Sequence, residues 1–161
     1  VQLSQLIVRS RVEVRYERDL GEWEPVAVGQ PEGPWKIINA LKELARGHAF
    51  VCGRTDVTGD DVALVSEVAI SSVPTHLRPI IRELAAAGKV DSAAAARLCA
   101  VSRPTVRRRL REVALLGFGM LERGNPESNL CDRITLAEEF RWLHHTCSTT
   151  YTGVCERERN I

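Results

Sequence analysis

Apolar and polar positions alternate along the chain with two different periods. Residues 12–16, inside LIVRSRVEVRY (6–16), alternate apolar and charged side chains, the pattern of a half-buried strand. Asp19-Leu20-Gly21 supplies turn chemistry, and residues 24–28 read as a returning strand. The chain is therefore predicted to open on a β-hairpin. A breaker-rich connection, residues 30–34, follows. From Pro34 the period lengthens. Trp35, Ile38, Leu41, Ala45 and Ala49 recur at threes and fours, predicting a helix over 34–50 that buries this stripe. Pro34 suits its first turn, where a missing N–H costs nothing.

Further helices are marked by their ends. Thr58 is a good N-cap, with Asp61 three residues on in the capping-box position, predicting a helix over 59–72. Its buried face should be Val62, Val65, Val68 and Ala69, with Asp56, Asp60 and Asp61 as surface charges. Thr75 is expected to cap a helix over 76–87, stopped by Gly88. Asp91 or Ser92 caps a short helix ending near Cys99. Ala100-Val101 forms a tight turn, with Val101 as its buried residue. Ser102 caps the next helix, whose first turn accommodates Pro104 and whose buried face is Val106, Leu110, Val113 and Ala114. After Gly117, residues 118–122 and 131–136 read as strands joined by the turn-rich GNPESN (124–129). A closing helix is expected over 137–147 and a polar tail over 148–161. The fold class is thus mainly α with small β. The expected divisions are 1–74, 75–147 and the tail.

Charge sharpens one element. The net charge is +1. Residues 1–74 carry 8 Lys/Arg against 11 Asp/Glu, whereas residues 75–161 carry 14 against 10. Five arginines and no acid fall between positions 103 and 111. A solvated helix face normally mixes signs, because like charges at i,i+4 cost roughly 0.2–0.5 kcal/mol per pair. An unrelieved run needs a compensating partner, and double-stranded DNA is the candidate. With Ser102 at the cap, Arg103 and Arg107 share one stripe, and Arg108 and Arg111 the next. Ser102 and Thr105 are uncharged donors at the helix start, the part of a recognition helix that enters the major groove. The candidate DNA-binding residues are therefore Ser102, Arg103, Thr105, Arg107, Arg108 and Arg111. Arg123, at the base of the 124–129 turn, is expected to contact the phosphate backbone. Asn125, Glu127, Ser128 and Asn129 lie at the tip of that turn, with Arg133 across its base.

Other chemistry is sparse. Five cysteines (52, 99, 131, 147, 155) make an odd number without a CxxC pair, which favours reduced thiols and a cytoplasmic setting. His144, His145, Cys147 and Cys155 match no structural zinc spacing, so no metal is expected. No apolar run approaches a membrane span. His48 and His76 lie on separate helices, where a packed or capped role is the ordinary one. The sequence opens on Val1 without methionine, as expected either of a piece of a longer protein or of a chain whose initiator methionine has been removed.

Two resemblances extend this reading. AAARLCAVSRPTVRRRLREVALLGF resembles the winged helix-turn-helix superfamily over residues 89–136. It departs at Cys99-Ala100, where Leu-Gly is usual. That resemblance implies a recognition helix and a wing. KIINALKELARGHAFVCGRTDVTGDDVALV resembles the helical lid of AAA+ ATPases related to minichromosome maintenance helicases. In that family an arginine near the start of the lid reaches the nucleotide of a neighbouring site. Lys36 stands about there, with lysine for arginine. Together the resemblances imply the C-terminal portion of an AAA+ type ATPase acting on nucleic acid, with its ATPase core upstream. These residues hold no Walker A loop, so the chain itself is expected to be no enzyme and to bind no cofactor. Two alternatives stand beside it. One is a free-standing transcriptional regulator whose helical region forms a homodimer. The other is a winged helix used for protein–protein contact.

Overall fold

The computed structural model describes residues 2–19, 21–124 and 131–143. It is mainly helical with small antiparallel sheets. Helix α1 (Gln2–Ser10) leads into the hairpin β1 (Val14–Asp19) and β2 (Glu22–Val28), turned at Gly21 with φ +92°. Helices α2 (Trp35–Val51), α3 (Gly59–Ser71) and α4 (Arg78–Ala87) follow. Among the described residues, strand β3 (Lys89–Asp91), α5 (Ser92–Cys99), α6 (Arg103–Leu115), β4 (Gly119–Glu122) and β5 (Arg133–Leu136) complete the elements, with a 3₁₀ turn at Glu138–Phe140. The second sheet has the order β3-β5-β4, with both pairs antiparallel.

One cluster of buried side chains ties these elements together. Leu6 and Ile7 of α1, Ala69 of α3, Ile80 and Leu84 of α4, Ala95 of α5 and Val106, Leu110 and Val113 of α6 meet Phe118, Ile134 and Phe140. Phe118 and Phe140 pack edge-on at 5.3 Å between ring centroids. Arg9 closes the outside of this core. It pairs with both carboxylate oxygens of Glu139, donates to the Gly117 carbonyl, and lies over the Phe140 ring.

Several expectations are corrected. The chain opens on helix α1 rather than directly on the hairpin, because Leu3, Leu6, Ile7 and Ser10 share the face of α1 that meets the core. The alternation governs only from Val14 onward. Helix α4 begins at Arg78, not after Thr75. A helix capped at Thr75 would place Pro79 where an N–H must bond the cap carbonyl, so the chain first makes a turn in which Pro74 accepts from Leu77 and Arg78. On α2, Trp35 is exposed, and the buried contacts are Ile38 and Ala49. On α3, Val62 and Val68 are exposed while Val65, Ala69 and Ile70 face inward. Asp61 is fully buried, not a surface charge. Val101 is half-buried against the core cluster. The closing helix is described only as far as residue 143.

The helix ends share one device. In α2 and α6 the chain leaves through paired backbone bonds, Gly53 to Phe50 with Arg54 to Ala49, and Gly117 to Ala114 with Phe118 to Val113. Both glycines have positive φ. Helix α5 ends the same way, with Ala100 to Arg97 and Val101 to Ala96, but Ala100 holds the left-handed position at φ 52°.

Candidate nucleic-acid interface

Helix α5, the turn at Ala100-Val101 and α6 form the candidate site. Asp91 caps α5, its carboxylate accepting from the Ala94 N–H at 2.6 Å. Ser102 is the N-cap residue of α6 with extended backbone, and Pro104 sits in the first turn. The Ser102 and Thr105 hydroxyls bond each other at 2.9 Å, so Ser102 acts through Thr105 rather than through a backbone N–H. Val106, Leu110 and Val113 are fully buried, which fixes the outward direction of the arginines.

The arginines then divide. Arg103 and Arg107 are exposed on one stripe. Arg107 Nε pairs with Asp132 Oδ2 at 3.0 Å, while Oδ1 of the same carboxylate accepts from the Gly124 N–H at 2.9 Å. Asp132 thus links α6 to the connection between β4 and β5. Arg108 and Arg111 are half-buried on the other stripe, which turns toward the N-terminal hairpin. Arg111 pairs with Glu24 of β2. Arg108 lines a groove of about 240 Å³ with Gly21, Trp23, Glu24, Pro104 and Thr105. Two arginines therefore find acids within the chain, and the run is less unrelieved than its sequence implies.

Beneath the arginines lies a buried acid. Glu112 faces inward, bonded to His76 Nε2 at 3.1 Å and by the Tyr16 hydroxyl. Partial burial, together with that bond to an anion, pushes the Tyr16 phenol up to about 12, against a smaller lowering by Arg108.

On the opposite flank, Arg97, Arg123 and Arg133 line an open cleft of about 450 Å³ with Asp91 and Glu122. All three arginines are exposed. Arg123 therefore stands at the foot of the β4–β5 connection. Residues 125, 127, 128 and 129 lie outside the described residues, as do His144, His145, Cys147 and Cys155. Lys36 is exposed on the first turn of α2, away from the arginine helix in sequence and without an ion pair among those described. Among the described residues, no group of His, Cys, Asp and Glu is arranged to hold a metal, and no helix is long and apolar enough to cross a membrane.

Sequence reasoning missed Glu24, Asp132 and Arg97. Glu24 and Asp132 sit in segments of mixed charge, where nothing local marks a partner in α6. Arg97 carried a findable signal: a basic residue in the last turn of a helix that directly precedes an arginine-rich one. No family model, curated protein or solved structure matches the chain.

Proposed function

We propose that the chain is a winged-helix module that grips double-stranded DNA through the N-terminal half of α6. On this reading, Arg103 and Arg107 lie along the duplex, and Ser102 and Thr105 approach it at the helix start. Arg97, Arg123 and Arg133 meet the phosphates alongside. The observation that carries it is the exposure of these five arginines on and beside α5–α6, while the apolar side of α6 is fully buried. Arginine suits both roles, because its planar fork binds phosphate or guanine with two parallel hydrogen bonds. Arg108 and Arg111 contribute less, being turned toward the hairpin.

Residues 34–70 are then the helical lid of an AAA+ type ATPase whose core lies upstream. Phe50 and Val51, 80% and 83% exposed at the end of α2, support a further protein surface against this region. The module itself performs no catalysis in this proposal.

The test is fluorescence anisotropy with a labelled duplex at several salt concentrations. Affinity should fall by orders of magnitude between about 50 and 200 mM salt if six or more phosphates are neutralised. Arg103→Ala and Arg123→Ala should each reduce the salt slope by about 1. Binding insensitive to salt and to both substitutions would remove DNA from the account. Preference for a palindrome with half-sites one helical turn apart would favour the dimeric regulator instead.

A further inference from the structure

A second cluster of reactive side chains lies away from α6, where the end of α2 meets the start of α3. Asp61 is fully buried and collects five hydrogen bonds' worth of partners. Arg54 grips both its oxygens, Nη1 to Oδ2 at 2.7 Å and Nη2 to Oδ1 at 2.9 Å. The Thr58 N–H donates to Oδ2 at 2.7 Å and the Thr58 hydroxyl at 3.1 Å. His48 Nδ1 lies 2.5 Å from Oδ1. The Arg54 guanidinium, with the Thr58 backbone N–H, holds the Asp61 carboxyl far below the usual carboxylate range.

An ionised carboxylate only accepts hydrogen bonds, so His48 must carry its proton on Nδ1. In the neutral imidazole the other nitrogen, Nε2, then carries the lone pair. That atom faces Cys52 Sγ at 3.8 Å, one helical turn along α2. Cys52 is free and exposed. Gly53, at φ +71°, reverses the chain behind it and returns Arg54 to Asp61, within reach of the sulfur as well. Carboxylate, imidazole and thiol thus stand in the order that activates a nucleophile, with a base beside the thiol and the base oriented by a third group.

We propose that Cys52 is a nucleophilic thiol and a site of oxidation by hydrogen peroxide, with His48 as its base and Asp61 as the group that positions His48. His48 Nε2 removes the thiol proton, and the sulfur attacks one peroxide oxygen. An S–O bond forms and the O–O bond breaks. Sulfur loses two electrons to become a sulfenic acid. The departing hydroxide takes the proton from His48 and leaves as water, restoring the neutral imidazole. Arg54 supports the negative charge on sulfur, which the carboxyl end of α2 would otherwise oppose.

Cys131 is also exposed and serves as an internal reference in the same molecule. The full chain is treated with limiting iodoacetamide, and separately with hydrogen peroxide followed by dimedone. Labelling at each cysteine is then read by peptide mass spectrometry. Cys52 should be alkylated at least tenfold faster than Cys131 and should carry the dimedone adduct. In His48→Asn its rate should fall to within threefold of Cys131. A wild-type ratio below threefold, or a ratio that His48→Asn leaves unchanged, overturns the proposal. The wild-type comparison decides the matter even where the variant is poorly folded.

Discussion

Arg111 and Glu24 form an ion pair across 87 residues of sequence, joining the arginine helix α6 to strand β2 of the N-terminal hairpin. Both side chains are largely shielded, at 35% and 23% exposure. The pair does two things at once. It docks the hairpin on α6, where Tyr16 reaches Glu112 from the other strand. It also sets an acid beside the surface proposed to meet DNA.

That placement gives Glu24→Gln two opposite effects. Stability should fall by up to about 1 kcal/mol, the usual range for a pair that is not fully buried. DNA affinity at low salt should rise, because one negative charge is removed some way from the phosphates. At about 7 Å in water that charge is worth roughly 0.6 kcal/mol, or two- to threefold in Kd. Thermal melts and anisotropy at 50 mM salt read the two effects separately. Unchanged affinity would mean that the duplex does not pass the hairpin side of α6.

Ala100→Gly should stabilise the protein. Ala100 occupies the left-handed position that Gly53 and Gly117 hold at the ends of α2 and α6, and its Cβ makes that conformation costly by about 1–2 kcal/mol. Glycine also gains freedom in the unfolded chain, which offsets part of the benefit. A net gain of about 0.5–1 kcal/mol is expected in chemical denaturation. A loss of stability would show that the alanine methyl makes a packing contact worth more than its strain.

The turn between α5 and α6 was legible because each boundary rests on a local rule. Asp91, Pro104, Gly88 and Gly117 cap, start or stop helices wherever they stand in the fold. The buried face of α6 was legible for a similar reason: its 3.6-residue period is unbroken. Three features were not legible. Residues 6–10 became helix because a helical face of Leu3, Leu6 and Ile7 meets the core, and alternation nearby masked that face. Asp61 reads as one of three surface acids, and only the return of Arg54 and His48 around it allows burial. The division of the arginines was hidden because Glu24 and Asp132 are remote in sequence.

The buried Asp61 predicts how the fold responds to acid. Its carboxyl is held far below its ordinary value, first by Arg54 and then by the Thr58 N–H. A group whose folded pKa is depressed contributes stability that is present above its unfolded pKa, about 3.9, and lost as the pH falls below it. Asp61→Asn removes the titrating group and leaves Arg54 without its anion. The variant should melt well below the wild type at pH 7, and the gap should narrow steadily from about pH 5 downward. A gap that stays constant to pH 3 would mean that Asp61 does not carry this charge-dependent stability.

Tyr16 gives the complementary test in alkali. Its phenol is pushed up to about 12, by burial first and then by its bond to Glu112. A raised folded pKa contributes stability that is complete below the unfolded value, about 10, and is lost as the pH rises through 12. Tyr16→Phe keeps the ring and removes the hydroxyl. It should cost about 1 kcal/mol at pH 7, the scale of one hydrogen bond to a charged partner less the screening at a partly exposed site. The difference from wild type should shrink between pH 10 and 12, because a tyrosinate beside Glu112 repels what the phenol bonded. Absorbance titration of the folded protein near 295 nm follows the same group directly. A phenol titrating near 10 would place Tyr16 in water and undo the docking of β1 on α6.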